Sequence, residues 1–100
     1  MTNYEVWEAR QTTHAQELAQ RCLELYNSGH HKYSFSTNQT KHVMEYVLMK
    51  VYHILWGSSP SLGFFSTIRK HDDLTRVCLR LFNQAELDEA DHPEPNTIQE

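Results

Sequence analysis

The chain has 100 residues, of which 39% are hydrophobic and 22% charged, and its formal net charge is −4. This length is typical of one domain, and the hydrophobic fraction excludes an intrinsically disordered chain. Only three glycines and three prolines are present, which is few for the many tight turns of an all-β fold.

A capping box marks the start of the first predicted helix. In the T-x-x-E pattern of Thr2 and Glu5, the threonine hydroxyl accepts from the Glu5 amide and the carboxylate accepts from the Thr2 amide. Apolar residues then recur at helical spacing, with Gln11 and His14 interrupting the apolar stripe. Gly29 suits the left-handed position that follows a helix, so the sequence predicts one long helix ending just before it.

The stretch GHHKYSFSTNQTKH, residues 29–42, is rich in histidine and has no hydrophobic periodicity. We interpret it as a polar connection between two helices, with its STNQT segment supplying the cap of the second helix. His30, His31 and His42 lack the spacing of zinc ligands, so we expect no metal site here.

The second predicted helix covers about residues 39–56. Beyond its first turn only Glu45, Lys50 and His53 are clearly polar, so the helix is apolar around most of its circumference. Such a helix is expected to be the central and most buried element. Its β-branched residues would also suit a strand, but the segment is too long for one ordinary strand.

A third amphipathic helix is predicted by apolar residues at spacings of three and one: Leu74, Val77, Cys78, Leu81, Phe82 and Ala85. Asp72 or Asp73 would cap this helix, and residues 64–70 would form a separate short helix before it. The alternative is one continuous helix over residues 66–89. We favour the two-piece arrangement.

Charge divides the chain unevenly. Residues 86–100 contain six acidic residues and no Lys or Arg, whereas residues 1–85 contain nine basic and seven acidic residues. The last ten residues, DHPEPNTIQE, include two X-Pro steps and no periodicity. They are expected to be extended and exposed.

These elements together predict an all-α fold. The expected architecture is a small three-helix bundle, or a four-helix bundle if the short segment at residues 64–70 is counted. The predicted boundaries are 1–90 for the helical domain and 91–100 for a flexible acidic tail.

Catalysis is not expected. The chain contains no G-x-S-x-G, P-loop or G-x-G-x-x-G motif. Asp72 and Asp73 are adjacent, so on a helix they would point about 100° apart and would not share a proton. Cys22 and Cys78 lie in apolar stripes, where thiols are inert. The sequence therefore predicts a protein that is not an enzyme and needs no cofactor.

The location expected from the sequence is the cytoplasm. No apolar run reaches the ~18 residues of a membrane span. The N-terminal segment MTNYEVWEAR has neither the basic nor the apolar region of a secretory signal. Two cysteines inside apolar patterns are typical of reduced, buried thiols.

Our leading functional hypothesis is binding to another protein. More aromatic residues are present than a small three-helix core would bury, and the candidate interface residues are Tyr4, Trp7, Tyr33, Phe35, Phe64 and Phe65. The acidic residues Glu86, Asp88, Glu89 and Asp91 would extend this interface. The expected class is a non-catalytic inhibitor, such as a phage or mobile-element protein that modulates a host nuclease or other nucleic-acid-processing enzyme, an analogy of size and style.

Two alternatives remain open from the sequence. The first is a small DNA- or RNA-binding protein that uses the basic residues Arg69, Lys70, Arg76 and Arg80 of the third predicted helix, with Lys32, Lys41 and Tyr33 extending the patch. The neighbouring Asp72 and Asp73 weigh against it. The second is a helical homo-oligomer that hides its central apolar helix between subunits.

Overall fold

The computed structural model describes residues 1–85 as two helices packed on one antiparallel sheet. The elements in chain order are helix α1 (Asn3–Asn27), strand β1 (Lys32–Thr37), helix α2 (Lys41–Ser58), strand β2 (Leu62–His71) and strand β3 (Leu74–Asn83). The strand order is β1-β3-β2, so the last strand lies in the middle of the sheet. The fold class is therefore α+β, and the predicted all-α helical bundle is wrong.

The third predicted helix is a β-hairpin instead. Strand β2 replaces the short helix expected at residues 64–70, and strand β3 replaces the amphipathic helix that follows. Asp72 and Asp73 form the turn between the strands, and Asp72 has a φ of 56°, a left-handed value that aspartate tolerates better than most residues. The continuous helix considered over residues 66–89 is also wrong for its described part.

The two helices themselves agree with the sequence. The capping box of α1 is present, with the Thr2 amide donating to Glu5 Oε1 at 2.7 Å and the Glu5 amide donating to Thr2 Oγ1 at 3.1 Å. Gly29 has a φ of 87°, as the helix end requires. Helix α2 begins two residues later than predicted, and Thr40 caps it by accepting from the Val43 amide.

Strand β1 lies inside the stretch interpreted as a polar connection, so that interpretation is wrong for residues 32–37. Exposed and half-buried residues alternate along this strand, which is the pattern of a strand with one covered face. The sequence carries the same alternation, with the polar residues Lys32, Ser34 and Ser36 between Tyr33, Phe35 and Thr37.

The core lies between the helices and the sheet. Helix α2 contacts both α1 and β2, and α1 reaches the central strand β3. Buried residues of α1 and α2 meet alternate residues of β3, among them Val77, Leu79 and Leu81. We call this covered side of the sheet the inner face and the opposite side the outer face. Within residues 1–85 no helix is long and apolar enough to cross a membrane.

Gln11, which interrupts the apolar stripe of α1, has a structural role. Its side chain is 4% exposed, and its Oε1 accepts from Gln39 Nε2 at 3.1 Å. The backbone amide of Gln39 in turn donates to Thr37 Oγ1. These hydrogen bonds connect α1 to the segment between β1 and α2, and they give a buried polar group a partner.

A second polar cluster holds α1 against α2. Lys50 Nζ lies 2.6 Å from Glu8 Oε2, and the Tyr46 hydroxyl donates to Glu8 Oε1 at 2.5 Å. The Trp7 ring stacks on Tyr46 at a centroid distance of 5.7 Å. The hydrogen bond from Lys50 lowers the pKa of Glu8 below its usual 4.5, and the bond from Tyr46 acts in the same direction.

We predict that Glu8→Gln lowers the thermal midpoint near pH 7. Because the pKa of Glu8 is lower in the folded state, its contribution is present above the ordinary carboxyl pKa and is lost as the pH falls through the lowered value. Thermal unfolding followed by circular dichroism near pH 7 and near pH 3 measures this, and the difference between the two thermal midpoints should be smaller at the acid pH. Glu17→Gln, at an exposed position of α1, is the control. A difference in thermal midpoint that increases at acid pH would contradict a stabilising role of ionised Glu8.

Candidate nucleic-acid interface

The outer face of the sheet carries a cationic surface that no described element covers. The register places its side chains in three rows across the strands: Lys32, Arg80 and Phe65, then Ser34, Cys78 and Thr67, then Ser36, Arg76 and Arg69. Eight of these nine residues are exposed, Phe65 by 56%, and Cys78 is half-buried. We call these nine residues the basic face.

Two pairs of cations lie directly opposite each other on this face. Lys32 is opposite Arg80 between β1 and β3, and Arg69 is opposite Arg76 between β2 and β3. The Leu81 amide donates to His31 O at 2.8 Å, which makes the next pair, Lys32 and Arg80, the closer, non-hydrogen-bonded type. Like charges directly opposite each other destabilise a sheet, so this arrangement opposes folding.

No ion pair compensates these charges in the described part of the chain. The three strands contain no Asp or Glu. Among residues 1–85 the ion pairs join Lys50 to Glu8 and two histidines to nearby carboxylates, and none involves the basic face. The four cations give this face a positive potential, which attracts anionic ligands.

One aromatic ring stands among the cations. Phe65 lies opposite Arg80 and packs against Phe82 at a centroid distance of 4.7 Å. Phe82 lies across Gly63, and a Cβ at that glycine would come within 2.8 Å of Phe82 Cζ. The glycine thus makes room for one ring, which supports the other at the surface.

Cys78 occupies the centre of the basic face. It lies between Ser34 and Thr67 in the middle row. A hydrogen bond with Ser34 lowers the pKa of Cys78, and Arg76 and Thr67 contribute in the same direction. Burial in the core, in contrast, raises the pKa of Cys22 to about 11. The two thiols therefore differ in both access and ionisation.

The structure brings together three of the four basic residues singled out from the sequence. Arg69, Arg76 and Arg80 share the basic face, but they do so on strands rather than on the predicted helix. Lys70 projects to the inner side of β2, next to Thr75. Lys41, considered as an extension of the patch, lies at the start of α2 on the opposite side of the sheet.

The aromatic residues proposed as a protein interface do not form one patch. Tyr4 is 64% exposed and contacts Trp7, at the first turns of α1. Tyr33 and Phe35 lie half-buried on the inner face of β1, packed against the core. Phe64 also faces inward, whereas its neighbour Phe65 belongs to the basic face. The acidic residues Glu86, Asp88, Glu89 and Asp91 lie outside the described residues, as does the predicted tail, 91–100.

One exposed surface was missed from the sequence. Helix α2 exposes Met49, Tyr52 and Trp56 by 53%, 45% and 57%, although the whole helix was expected to be the most buried element. Their spacing of three and four residues places them on one helical stripe, which is the signal that would have found them. In the part of the chain that the structure describes, no group of three or more metal-ligating side chains converges.

Comparison of the chain with protein-family models, with curated proteins and with solved structures gives no match. No relative therefore assigns a role to the basic face.

We predict that Gly63→Ala destabilises the fold by about 1–3 kcal/mol, because the added methyl group overlaps the Phe82 ring. Urea unfolding measures the effect. Gly57→Ala in α2 is the matched control: nothing lies within 4 Å of the position that a methyl group would take there, and the helix should gain up to ~1 kcal/mol. Equal effects at the two glycines would contradict the close packing under Phe82.

We also predict selective alkylation of the thiols. Iodoacetamide near pH 8 should modify Cys78 in the native protein and leave Cys22 unmodified, because Cys78 is partly exposed with a lowered pKa and Cys22 is buried with a raised one. Peptide mass spectrometry reads the two sites separately, and denatured protein, in which both react, is the control. Equal native rates would show that Cys22 is accessible.

Proposed function

We propose that this protein binds single-stranded nucleic acid through the basic face. The observation that supports this most strongly is the presence of two cross-strand cation pairs, Lys32–Arg80 and Arg69–Arg76, on an exposed face without acids. Such pairs cost stability in the free protein. A polyanion relieves the repulsion, so the arrangement suits phosphate binding better than it suits a merely solvated surface.

The spacing of the cations fits a backbone that crosses the sheet. The two cationic rows are four residues apart along the strands, a separation of roughly 13 Å. The middle row and the row of Arg69 supply hydroxyl donors from Ser34, Thr67 and Ser36 to phosphate or ribose oxygens. A nucleic acid lying on this face would therefore meet positive charge at two points with polar groups between them.

The exposed ring favours a single strand over a duplex. Phe65 presents its ring beside Arg80, and an unpaired base can stack on an aromatic side chain in this way. Among residues 1–85, no helix or ribbon projects from the basic face to enter a groove of double-stranded DNA. Stacking and phosphate contacts are tolerant of sequence, so we expect affinity that depends on salt more than on base order.

The overall charge of −4 does not argue against this function. Residues 1–85 carry nine basic and seven acidic residues, and five of the nine, Lys32, Arg69, Lys70, Arg76 and Arg80, lie on the strands. The excess of acid comes from residues 86–100.

In this proposal the protein is not an enzyme, needs no cofactor and acts in the cytoplasm, where its two free cysteines stay reduced. Inhibition of a partner protein, our leading sequence-based hypothesis, stays a prediction.

The proposal is tested by fluorescence anisotropy with an oligouridylate of about 15 nucleotides, within the known range of single-strand sites. We predict that Arg76→Gln with Arg80→Gln weakens binding and lowers the slope of log affinity against log salt by about 1.4, the value for two lost phosphate contacts. Bound oligonucleotide should also slow alkylation of Cys78, which lies between these arginines on β3.

The matched control is Arg10→Gln with Arg21→Gln, two exposed positions of α1 that change the net charge by the same amount. This variant should keep the wild-type affinity and salt slope. Absence of wild-type binding at low salt would refute the proposal. Equal weakening by both double variants would show that net charge, and not the basic face, governs binding.

A further inference from the structure

Strand β2 presents a long unpaired edge. The Gln84 amide donates to Ser61 O, so the pair 61/84 is hydrogen-bonded and, in the continuing register, the odd-numbered residues of β2 bond to β3. The backbone groups of Phe64, Ser66, Ile68 and Lys70 therefore point away from the sheet. The register runs without a bulge along all ten residues, and the strand contains no proline. A long, regular edge of this kind is a template for pairing with another strand.

The same residues also line a groove. One wall is formed by Lys41, Glu45, Leu48, Met49 and Tyr52 of α2, and the other by Phe64, Ser66 and Ile68 of β2. The side chains that enter the groove thus belong to the residues whose backbone groups are free. A strand added to this edge would gain main-chain hydrogen bonds and would place alternate side chains beside the groove.

We propose that the occupant of this edge is a second copy of the chain, paired antiparallel through β2 about a two-fold axis at Ser66. The two sheets would then form one six-stranded sheet, in the order β1-β3-β2-β2-β3-β1. This interaction does not require nucleic acid, because it uses the edge and the inner side of the sheet rather than the outer face.

The sequence of β2 is complementary to itself in this register. Phe64 of each copy lies opposite Ile68 of the other, and Ser66 lies opposite Ser66, so apolar residues meet apolar residues on the groove side. Arg69 falls opposite Gly63, and Lys70 falls opposite Leu62. No two cations of the strand therefore face each other across the axis, which the antiparallel two-fold arrangement achieves without any acidic partner.

The exposed stripe of α2 fits the same arrangement. Met49 and Tyr52 border the groove, and Trp56 stacks on Tyr52 at a centroid distance of 6.5 Å. These large apolar side chains flank the edge on the side where the second copy would lie, and homodimer interfaces are enriched in such residues. The remaining edge, of β1, has only six residues.

The dimer would also join two basic faces. Both lie on the outer side of the continuous sheet, since pairing about a two-fold axis perpendicular to the sheet keeps each outer face on the same side. The four cations of each copy, Lys32, Arg69, Arg76 and Arg80, would form one extended positive surface. A longer single strand could then contact both copies.

The test is the mass of the full chain by light scattering after size exclusion, over a range of concentrations and without nucleic acid. The expected result is a concentration-dependent approach to twice the chain mass of 11.8 kDa. Ser66→Pro removes a free-edge donor without removing a bond to β3, and loss of the symmetric pair of bonds should raise the dissociation constant at least about tenfold. Ser34→Pro makes the same change on the free edge of β1 and should leave the dimer intact.

A disulfide cross-link tests the β2–β2 contact without relying on the folding of the proline variant. In a Cys78→Ser background, Ser66→Cys should form a disulfide-linked dimer on mild oxidation, because residues opposite each other across the axis have Cα atoms about 5.5 Å apart. Ser36→Cys, exposed on β1, should not. A mass that stays monomeric overturns the proposal and leaves the edge to a strand of a different protein. A dimer that survives Ser66→Pro, or that Ser34→Pro abolishes, overturns it as well.

Discussion

The alternation of side chains along strand β3 is the constraint on which the rest of the structure depends. Thr75, Val77, Leu79 and Leu81 are buried on the inner face, and the residues between them turn to the outer face. Since β3 pairs with both other strands, its register also fixes the facing of β1 and β2. A shift of one residue would bury arginines and expose the core, so the register is strongly specified.

The same alternation places the residues that stabilise the fold on the inner face of the sheet and the residues proposed to bind a ligand on the outer face. The helices pack on the inner face, where Val47, Val51 and Leu55 of α2 meet the sheet side of the core. The outer face contributes little to this core, so it can hold opposed cations that a stabilising surface would avoid. The repulsion between those cations lowers the stability of the folded protein, and the apolar core on the inner face offsets this loss. Because the cations do not help the chain to fold, we explain the basic face by the ligand that we propose for it.

Much of the helical part was predictable from local signals, because caps and periodicity act over a few residues. The capping box at Thr2 and the glycine at position 29 correctly bounded α1. The β-hairpin was missed since its sequence satisfies two periods at once. Leu74, Cys78 and Phe82 complete a helical stripe, while Val77 and Leu81 belong equally to an alternating pattern. Pairing across the Asp-Asp turn decides between the periods, and the turn was interpreted as a helix cap.

Strand β1 was missed in the sequence for a different reason. Its six residues are stabilised by hydrogen bonds to β3, about forty residues away in the chain, and the short polar–aromatic alternation of residues 32–37 does not fix a strand without that pairing. The same reason applies to the candidate site. Arg69, Arg76 and Arg80 were grouped by helical spacing, yet they share a surface because two strands pair in register. Lys32 joins them only through that pairing.

The fold also explains why two interaction surfaces can coexist on so short a chain. A three-stranded sheet with helices on one side leaves its outer face and its edges available. The outer face exposes side chains, which suit an irregular polyanion, whereas the edge of β2 exposes backbone groups, which suit another strand. Because β3 lies between β1 and β2, the basic face stays anchored on both sides when β2 accepts a further strand. As we propose them, edge pairing and phosphate binding use different atoms of the same three strands, backbone groups for the first and side chains for the second.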